Sequence, residues 1–384
     1  MIASALLISI LLIVFGIHLL YPLLLKRIIR KQTNLLLTKK NRSKIHSRFD
    51  LPMVSILIPV YSEESVIVRR INNIFESTYP RNKLEVVVID SGSPDKTRSE
   101  IYSNFQNKVT LITEDERKGK AHAINLGLEI CKGDIVILTD GTALYDRETI
   151  LELVNSFKDA SIGAVSALYR VPNSEDSHVS ASEHKFWLHK DKIRVLESST
   201  HSTSWLSGEA LALRNKIVTK VSEDTLADDS NIALQIISKG YRSVINQNAY
   251  FTERSPTQFT DYVKVKSRRT LGGLIETLRF KSFFFNRKYG YFGMIVFPYR
   301  FFVYLISPVL SCILTGIAVM STLEIISTFG LYVTLFLGGL ALVIGFILRN
   351  MIISYFYTQL FTIIAIIWLL RGNIDVRWTR SRTR

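Results

Sequence analysis

The stretch Val54-Ser-Ile-Leu-Ile-Pro59 is a short apolar run that ends in proline, and it predicts a buried β-strand. Two more runs of this kind, Leu84–Ile89 and Asp134–Thr139, are followed directly by the acids Asp90 and Asp140. Strands that are apolar throughout are typical of parallel sheets, because those sheets are buried on both faces. The three runs therefore predict the middle of a parallel sheet.

Helical patterns separate these runs. Apolar residues recur at helical spacing over residues 63–77, and Gly119–Cys131 predicts a second helix. Val109–Ile112 adds a further short strand. Strands that alternate with helices predict an α/β domain with helices on both faces of the sheet.

The polar residues at the strand ends indicate where a ligand binds. In open α/β sheets, ligands lie at the carboxyl ends of the strands, and Tyr61, Asp90 and Asp140 fall there. The sequence has neither a G-x-G-x-x-G fingerprint after the first strand nor a Walker-type loop. A dinucleotide cofactor and a P-loop nucleotide site are therefore not expected.

A series of motifs in the same segment resembles family 2 inverting glycosyltransferases, in the expected order over about residues 53–275. The resemblance implies the GT-A fold, a Rossmann-like nucleotide-diphospho-sugar transferase domain, over residues 51–278. It also implies a nucleoside-diphosphate sugar as donor, with UDP the commonest nucleotide in the family. The motifs are Val54–Glu64, Val86–Asp95, Arg117–Gly127, Gly133–Thr142, Leu206–Arg214 and Ala227–Leu234.

The resemblance implies a set of donor-binding residues, and their chemistry suits the task. The carboxylate of Asp90 can accept hydrogen bonds from a base or a ribose. Lys118 and Lys120 flank Gly119 at a helix start, where ammonium groups and free N–H groups suit a diphosphate. The predicted donor-binding residues are Pro59, Tyr61, Glu63, Asp90, Lys118, Lys120, Asp140 and Arg268.

A divalent cation, Mg²⁺ or Mn²⁺, is the expected cofactor. The family carries an Asp-x-Asp motif at the end of the fourth strand, where two acids hold the ion that neutralises the departing diphosphate. Here the motif reads Asp140-Gly-Thr142, so a hydroxyl replaces the second acid. We expect Asp140 and Thr142 to be the metal ligands, with a weaker affinity than two carboxylates would give.

The pair Asp228-Asp229 resembles the family's acid pair, whose second member is the general base. Such a base is required because the acceptor hydroxyl loses its proton as it attacks the anomeric carbon. Two adjacent carboxylates raise each other's pKa, which suits a base. We therefore predict Asp229 as the base and Asp228 as a helix cap that also borders the acceptor and sugar pocket. Gly208 and Glu209 are predicted to line that pocket.

Residues 264–273 decide between single transfer and polymer synthesis. Many processive members of the family carry Gln-x-x-Arg-Trp here, and this chain keeps only the arginine, as Arg268. Val265 takes the place of the glutamine and Arg269 that of the tryptophan. The loss of the tryptophan argues against a long-chain polysaccharide synthase.

Both ends of the chain are apolar. Residues 1–25 predict a transmembrane anchor, and residues 26–50 a basic linker. Basic clusters beside an apolar segment face anionic headgroups, so the net charge of +15 indicates a membrane surface rather than nucleic acid. Residues 279–300 mix basic and aromatic side chains and predict an interfacial segment.

The C-terminal third completes the predicted architecture. Residues 301–370 predict about three transmembrane helices (302–323, 326–348 and 351–370), and residues 371–384 a basic tail. The fold class is thus an α/β GT-A domain with N- and C-terminal transmembrane helices. The charge distribution places the catalytic domain in the cytoplasm, on a multi-pass protein of the plasma membrane.

The sequence therefore predicts a membrane-bound inverting glycosyltransferase. Its partners would be a nucleotide-sugar donor, a lipid-linked or membrane-proximal glycan acceptor, and membrane lipids. Two alternatives stay open: a processive polysaccharide synthase, and a catalytically inactive membrane scaffold of the same fold, which the substitution at Thr142 would favour.

Overall fold

The computed structural model describes residues 2–38, 50–317 and 349–372, with four single residues at 320, 323, 327 and 330. Apart from residues 327 and 330, the predicted span 326–348 lies outside the described residues, as does most of the predicted tail 371–384.

Eight strands form one sheet, in the order β3-β2-β1-β4-β7-β6-β8-β5. The strands are β1 Val54–Val60, β2 Leu84–Asp90, β3 Thr110–Thr113, β4 Ile135–Leu138, β5 Leu144–Tyr145, β6 Ile162–Arg170, β7 Leu211–Arg214 and β8 Arg242–Thr252. The first four are parallel, as predicted, while β7 runs antiparallel to both β4 and β6. The predicted α/β class with a central sheet is confirmed.

Helices cover both faces of the sheet and extend beyond it. They are α1 Ile2–Thr38, α2 Ile67–Phe75, α3 Thr97–Phe105, α4 Lys120–Ile130, α5 Thr149–Ser156, α6 His178–Thr200, α7 Asp228–Ser238, α8 Phe259–Arg279, α9 Phe292–Ile317 and α10 Arg349–Leu370. Two apolar cores, one on each face, contain alternate residues of the same strands, such as Ile56 and Leu57 of β1. This alternation explains why the strands read as unbroken apolar runs.

Helix α1 is longer than the predicted membrane anchor. It continues through the basic residues to Thr38, so the first part of the predicted linker 26–50 is helical. Two contacts with α6 hold it: the Tyr21 hydroxyl donates to Glu197 Oε1 at 2.7 Å, and Gln32 Nε2 donates to the Thr200 carbonyl at 3.2 Å. Lysine, arginine and leucine are good helix formers, and docking on α6 sustains the helix beyond the apolar stretch.

Helix α9 crosses the boundary predicted at residue 300. Arg300 lies within it and is 1% exposed. Its guanidinium donates to Thr277 Oγ1 at 2.8 Å, Ser204 Oγ at 2.8 Å and the Gly273 carbonyl at 3.1 Å. Because these groups satisfy its donors, the arginine does not mark a polar helix end.

Among the described residues, one helix, Phe292–Ile317, is long and apolar enough to cross a membrane by length and composition. Part of it packs on the α/β domain, since Phe292, Val296 and Phe297 are buried against residues of α7. The first part of α9 therefore belongs to the α/β domain, and the same helix continues as an apolar segment to Ile317.

Candidate active site

A cavity of about 300 Å³ opens at the carboxyl ends of β1 and β4 and is walled by residues of α6, α7 and α8. The parallel register places the end of β1 beside the end of β2, with Val60 opposite Asp90. The structure brings most of the predicted site residues to this cavity. Those that line it are Pro59, Tyr61, Glu63, Lys120, Asp140, Thr142, Gly208, Glu209, Asp228, Asp229 and Arg268.

Lys120 joins two acids at the centre of the cavity. Its Nζ lies 2.8 Å from Asp140 Oδ1 and 3.3 Å from Asp228 Oδ2. Burial by itself would lower the pKa of Lys120, but the carboxylates of Asp140 and Asp228 outweigh it and raise that pKa above its ordinary value. A Cβ at Gly208 would meet Asp228 Oδ2 at 3.5 Å and Lys120 Nζ at 3.7 Å. The glycine therefore leaves space directly over this charged group.

Two predicted donor-binding residues do not line the cavity. Lys118 is exposed on the loop before α4. Its neighbour Arg117 does line the cavity and lies 4.0 Å from the centre of the Tyr61 ring. Arg117 belongs to the same sequence motif, but spacing along a loop does not reveal which of its basic side chains turns inward.

Asp90 lies beneath the cavity floor and is fully buried. Its Oδ2 is contacted by the Arg98 guanidinium and accepts the Ser93 N–H at 3.3 Å, while the next residue, Ser91, lines the cavity. Within the described chain, Asp90 Oδ1 has no hydrogen-bond partner. The nucleoside contact of Asp90 stays a prediction.

An acid from the end of β8 stands beside the position of the missing second acid. The Thr142 hydroxyl donates to Glu253 Oε1 at 2.6 Å, and Glu253 is buried. Glu209 lies in the same region and is paired with Arg269 at 3.1 Å. Sequence reasoning missed Glu253, although an acid directly after a strand is the signal that marked Asp90 and Asp140.

Burial raises the pKa of Glu209 to about 7, with Glu253 and Asp140 acting in the same direction. Arg269, at the position of the tryptophan of processive members, pairs with Glu209 and acts in the opposite direction on its pKa. The Arg269–Glu209 ion pair therefore forms part of the cavity lining.

The oxygen donors at the cavity fit a metal that arrives with a diphosphate. Asp140 and Thr142 lie on one loop, and both line the cavity. Within the described residues there is no group of three or more histidine, cysteine or acidic side chains that could hold an ion alone. Mg²⁺ is usually bound by one or two carboxylates together with substrate phosphates, and this donor set agrees with that mode.

Asp229 lies at the start of α7, where the chain turns into the cavity. Its Oδ1 accepts the Ser230 N–H at 2.6 Å. Burial and the neighbouring carboxylate of Asp228 raise the pKa of Asp229 to about 6. The predicted cap is not observed, since the N-cap is Ala227 and Asp228 lies inside the helix. Asp228 pairs with Lys120 instead, because its side chain projects toward that ammonium group rather than back along the helix.

The pKa of Asp229 leads to a testable pH dependence. A general base works only when it is deprotonated, so kcat/KM should rise as the pH increases through about 6 and level off above that. The Asp228→Asn variant removes the like charge and should move this acid limb to lower pH. The measurement is a pH profile of donor turnover for both proteins.

Asp224→Asn is the matched control for that profile, because Asp224 is exposed and pairs with Arg279 at 2.8 Å on the surface. An acid limb that stays in place in Asp228→Asn would contradict the role of the neighbouring charge.

One part of the cavity lining is aromatic and basic. Trp187 and Lys190 of α6, Trp205 of the following loop and Tyr304 of α9 line it. A Cβ at Gly273 would meet the Tyr304 hydroxyl oxygen at 2.3 Å, so the glycine allows α9 to approach α8 closely. The sequence pattern did not mark Trp187, Trp205 or Tyr304 as site residues, since they come together only in three dimensions.

Comparison with known proteins identifies part of the domain that forms this cavity. Residues 55–221 match the family described as Glycosyl transferase family 2. Among curated relatives, the probable glycosyltransferase YdaM of Bacillus subtilis is 24% identical over 288 residues, 68% of this chain and 65% of that protein. The chain thus spans slightly less than two thirds of the length of YdaM.

Two further similarities cover more of the compared proteins. A dolichyl N-acetyl-α-D-glucosaminyl phosphate 3-β-D-2,3-diacetamido-2,3-dideoxy-β-D-glucuronosyltransferase of Methanococcus voltae is 24% identical over 302 residues, 70% of this chain and 85% of that protein. The mannosyltransferase PcManGT of Pyrobaculum calidifontis, solved in complex with GDP-Man and Mn²⁺, has a TM-score of 0.75 and 25% identity. That similarity covers 96% of this chain and 99% of PcManGT.

Proposed function

We propose that this chain, which belongs to glycosyltransferase family 2, transfers a sugar from a nucleoside-diphosphate sugar to a lipid-linked or membrane-proximal glycan acceptor, with inversion at the anomeric carbon. One observation carries the proposal. A single cavity contains the Lys120–Asp140 pair and Asp229, a carboxylate whose pKa is raised to about 6. The first suits a diphosphate, and the second suits proton abstraction from a hydroxyl.

The reaction is a single displacement. The acceptor oxygen forms a bond to the anomeric carbon while the bond from that carbon to the diphosphate oxygen breaks. Asp229 accepts the acceptor's proton, and the bonding electrons leave with the nucleoside diphosphate. Lys120 and Arg268 line the cavity as cations that stabilise the charge on this leaving group. An Mg²⁺ or Mn²⁺ ion held by Asp140 and Thr142 would neutralise part of the same charge.

Exposed apolar side chains support a location at a membrane. On α1, Leu20 and Leu23 are 62% and 58% exposed, and on α9 Val309 is 55% exposed. Soluble proteins rarely expose large groups of apolar side chains. Lys26 and Arg27 follow the apolar part of α1 and are exposed, where they can contact anionic headgroups. We propose a multi-pass protein of the plasma membrane with the α/β domain in the cytoplasm.

Single transfer is the proposed outcome rather than polymer growth. Arg269 takes the place of the tryptophan of processive members and is engaged with Glu209. The aromatic residues of the cavity lie on other elements, α6 and α9 among them.

Hydrolysis of the donor tests the proposed function without a known acceptor. The full chain, purified in detergent, is incubated with UDP- and GDP-sugars in Mg²⁺, Mn²⁺ or EDTA, and nucleotide release is measured. We expect release from one nucleotide class, stimulated by the divalent cation. If no donor is hydrolysed and calorimetry detects no nucleotide binding, the enzyme assignment fails for the whole protein and the inactive scaffold replaces it.

A further inference from the structure

The cavity contains a lysine that forms no ion pair with any described residue. Lys190 of α6 lines the cavity, and its Nζ lies 3.8 Å from the centre of the Trp205 ring. The rings of Phe186 and Trp187 are 5.5 and 5.6 Å away. Across the described part of the chain, no carboxylate oxygen lies within ion-pair distance of this ammonium group.

The cations around Lys190 all have partners of their own. Lys266 pairs with Glu183 at 2.6 Å, and Arg194 pairs with Asp191 at 2.7 Å. Arg300 donates to hydroxyl and carbonyl oxygens of the surrounding helices and loop. Lys190 is thus the member of this cluster that has an aromatic face in place of an oxygen acceptor.

The electrostatics of this cluster favour an anion. Burial lowers the pKa of Lys190 well below its usual range, and the positive charges of Lys266 and Arg194 act in the same direction. Burial and the neighbouring cations thus both disfavour the charged form of Lys190. A bound anion would offset both effects, because it replaces the lost solvation and compensates the positive charges. The geometry points the same way, because Lys190 is half-buried in the wall of the cavity and forms no ion pair with a described acid.

The location of Lys190 indicates whether the donor or the acceptor carries the anion that binds there. Asp229 is close enough to act on the pKa of Lys190, so this site adjoins the proposed general base. Asp228, the residue next to that base, pairs with Lys120 at 3.3 Å, which connects the base to the proposed diphosphate end. Tyr304, which also lines the cavity, belongs to α9, the helix whose length and composition allow it to cross a membrane.

We infer that Lys190, with Trp205 and Trp187, forms a second anion site that binds the phosphate linking the acceptor sugar to its lipid. This inference rests on the proposed function and narrows its acceptor to lipids with a phosphate linkage. The phosphate lies at Lys190, the lipid chain leaves along α9, and the acceptor sugar extends toward Asp229. The aromatic faces stack against the sugar or the first apolar units of the chain.

Binding of farnesyl phosphate tests the site directly. The full chain in neutral detergent is saturated with the nucleoside diphosphate that the hydrolysis assay identifies, which blocks the donor end, and binding is followed by tryptophan fluorescence. We expect the Kd for farnesyl phosphate to increase about tenfold or more in Lys190→Gln, because a charge-assisted hydrogen bond is lost. Lys190→Arg should restore most of the affinity.

Lys192→Gln is the matched control, since Lys192 lies on the same helix but is exposed outside the cavity. It should leave the Kd for farnesyl phosphate unchanged, and all three variants should keep the wild-type Kd for the nucleotide. Retained nucleotide binding also shows that the variants are folded.

Two other ligands separate the possible sources of the anion. Inorganic phosphate should bind much more weakly than farnesyl phosphate, and farnesol should bind without any dependence on Lys190. Equal binding of inorganic phosphate would overturn the lipid assignment, and equal Kd values for farnesyl phosphate in wild type and Lys190→Gln would overturn the site.

The proposed function and this site can fail separately. If donor hydrolysis and nucleotide binding are absent while Lys190-dependent binding of farnesyl phosphate persists, only the transferase proposal fails. For that case, the binding titration is run without nucleotide.

Discussion

The Asp229→Asn variant should lose about 10²–10⁴-fold in the rate of sugar transfer, the range that a general base contributes. The amide has nearly the same shape as the carboxylate and can still accept the Ser230 N–H that Asp229 Oδ1 accepts at 2.6 Å. It cannot take a proton from the acceptor hydroxyl. The loss should therefore fall on kcat, with little change in the Kd of the nucleotide, and the acid limb near pH 6 should disappear.

The measurement is initial-rate kinetics of donor turnover together with calorimetric titration of the nucleotide. Asp224→Asn serves as the control, because this acid lies on the loop before α7 but its side chain is 75% exposed. A kcat within a few fold of wild type in Asp229→Asn would remove Asp229 from the role of base. Glu209, whose pKa is raised to about 7, would then be the next candidate.

The Asp140→Ala variant should lose about 10²-fold or more in donor turnover, since the Asp140 carboxylate holds in place the positive charges that stabilise the departing diphosphate. Two effects combine. The variant removes the only carboxylate among the proposed metal ligands, and it removes the partner that lies 2.8 Å from Lys120 Nζ. Stimulation by Mg²⁺ or Mn²⁺ should vanish, and the Kd of the nucleotide measured with the metal should approach the value measured in EDTA.

Asp146→Asn provides a matched comparison, because Asp146 follows six positions later, just beyond β5, but pairs with Arg170 at the surface at 3.0 Å. Its turnover and metal response should equal those of the wild type. Full metal stimulation in Asp140→Ala would show that the ion is held elsewhere, with Glu253 beside Thr142 as the residue to test next.

Local patterns were sufficient for the sheet and for one edge of the cavity. The apolar runs at residues 54–59, 84–89 and 134–139 became β1, β2 and β4 with ends shifted by at most one residue. Parallel strands bring their carboxyl ends to one edge, so the residues after β1 and β4 had to converge. The position of Asp140 at the cavity follows from this rule alone.

Contacts between distant segments could not be predicted in the same way. Thr142 and Glu253 are separated by 111 positions, and Arg269 and Glu209 by 60. An acid after a strand marks a strand end but does not show which residue it contacts, and an arginine on a helix is usually solvated. Only the packing of β8 and α8 against the loops of the sheet makes these residues neighbours.

The sequence by itself determined the α/β class, the strand ends that carry Tyr61 and Asp140, and the motifs that identify the family, because all of these depend on residues close together in the chain. The tertiary structure alone decided that Asp228 pairs with Lys120 rather than capping a helix, that Arg117 rather than Lys118 faces the cavity, and that Lys190 forms no ion pair with a described acid. The physical reason is that charge pairing and burial depend on which side chains meet in space. The packing of helices and loops on the sheet brings these side chains together, and Lys120 and Asp228 meet across 108 positions of sequence.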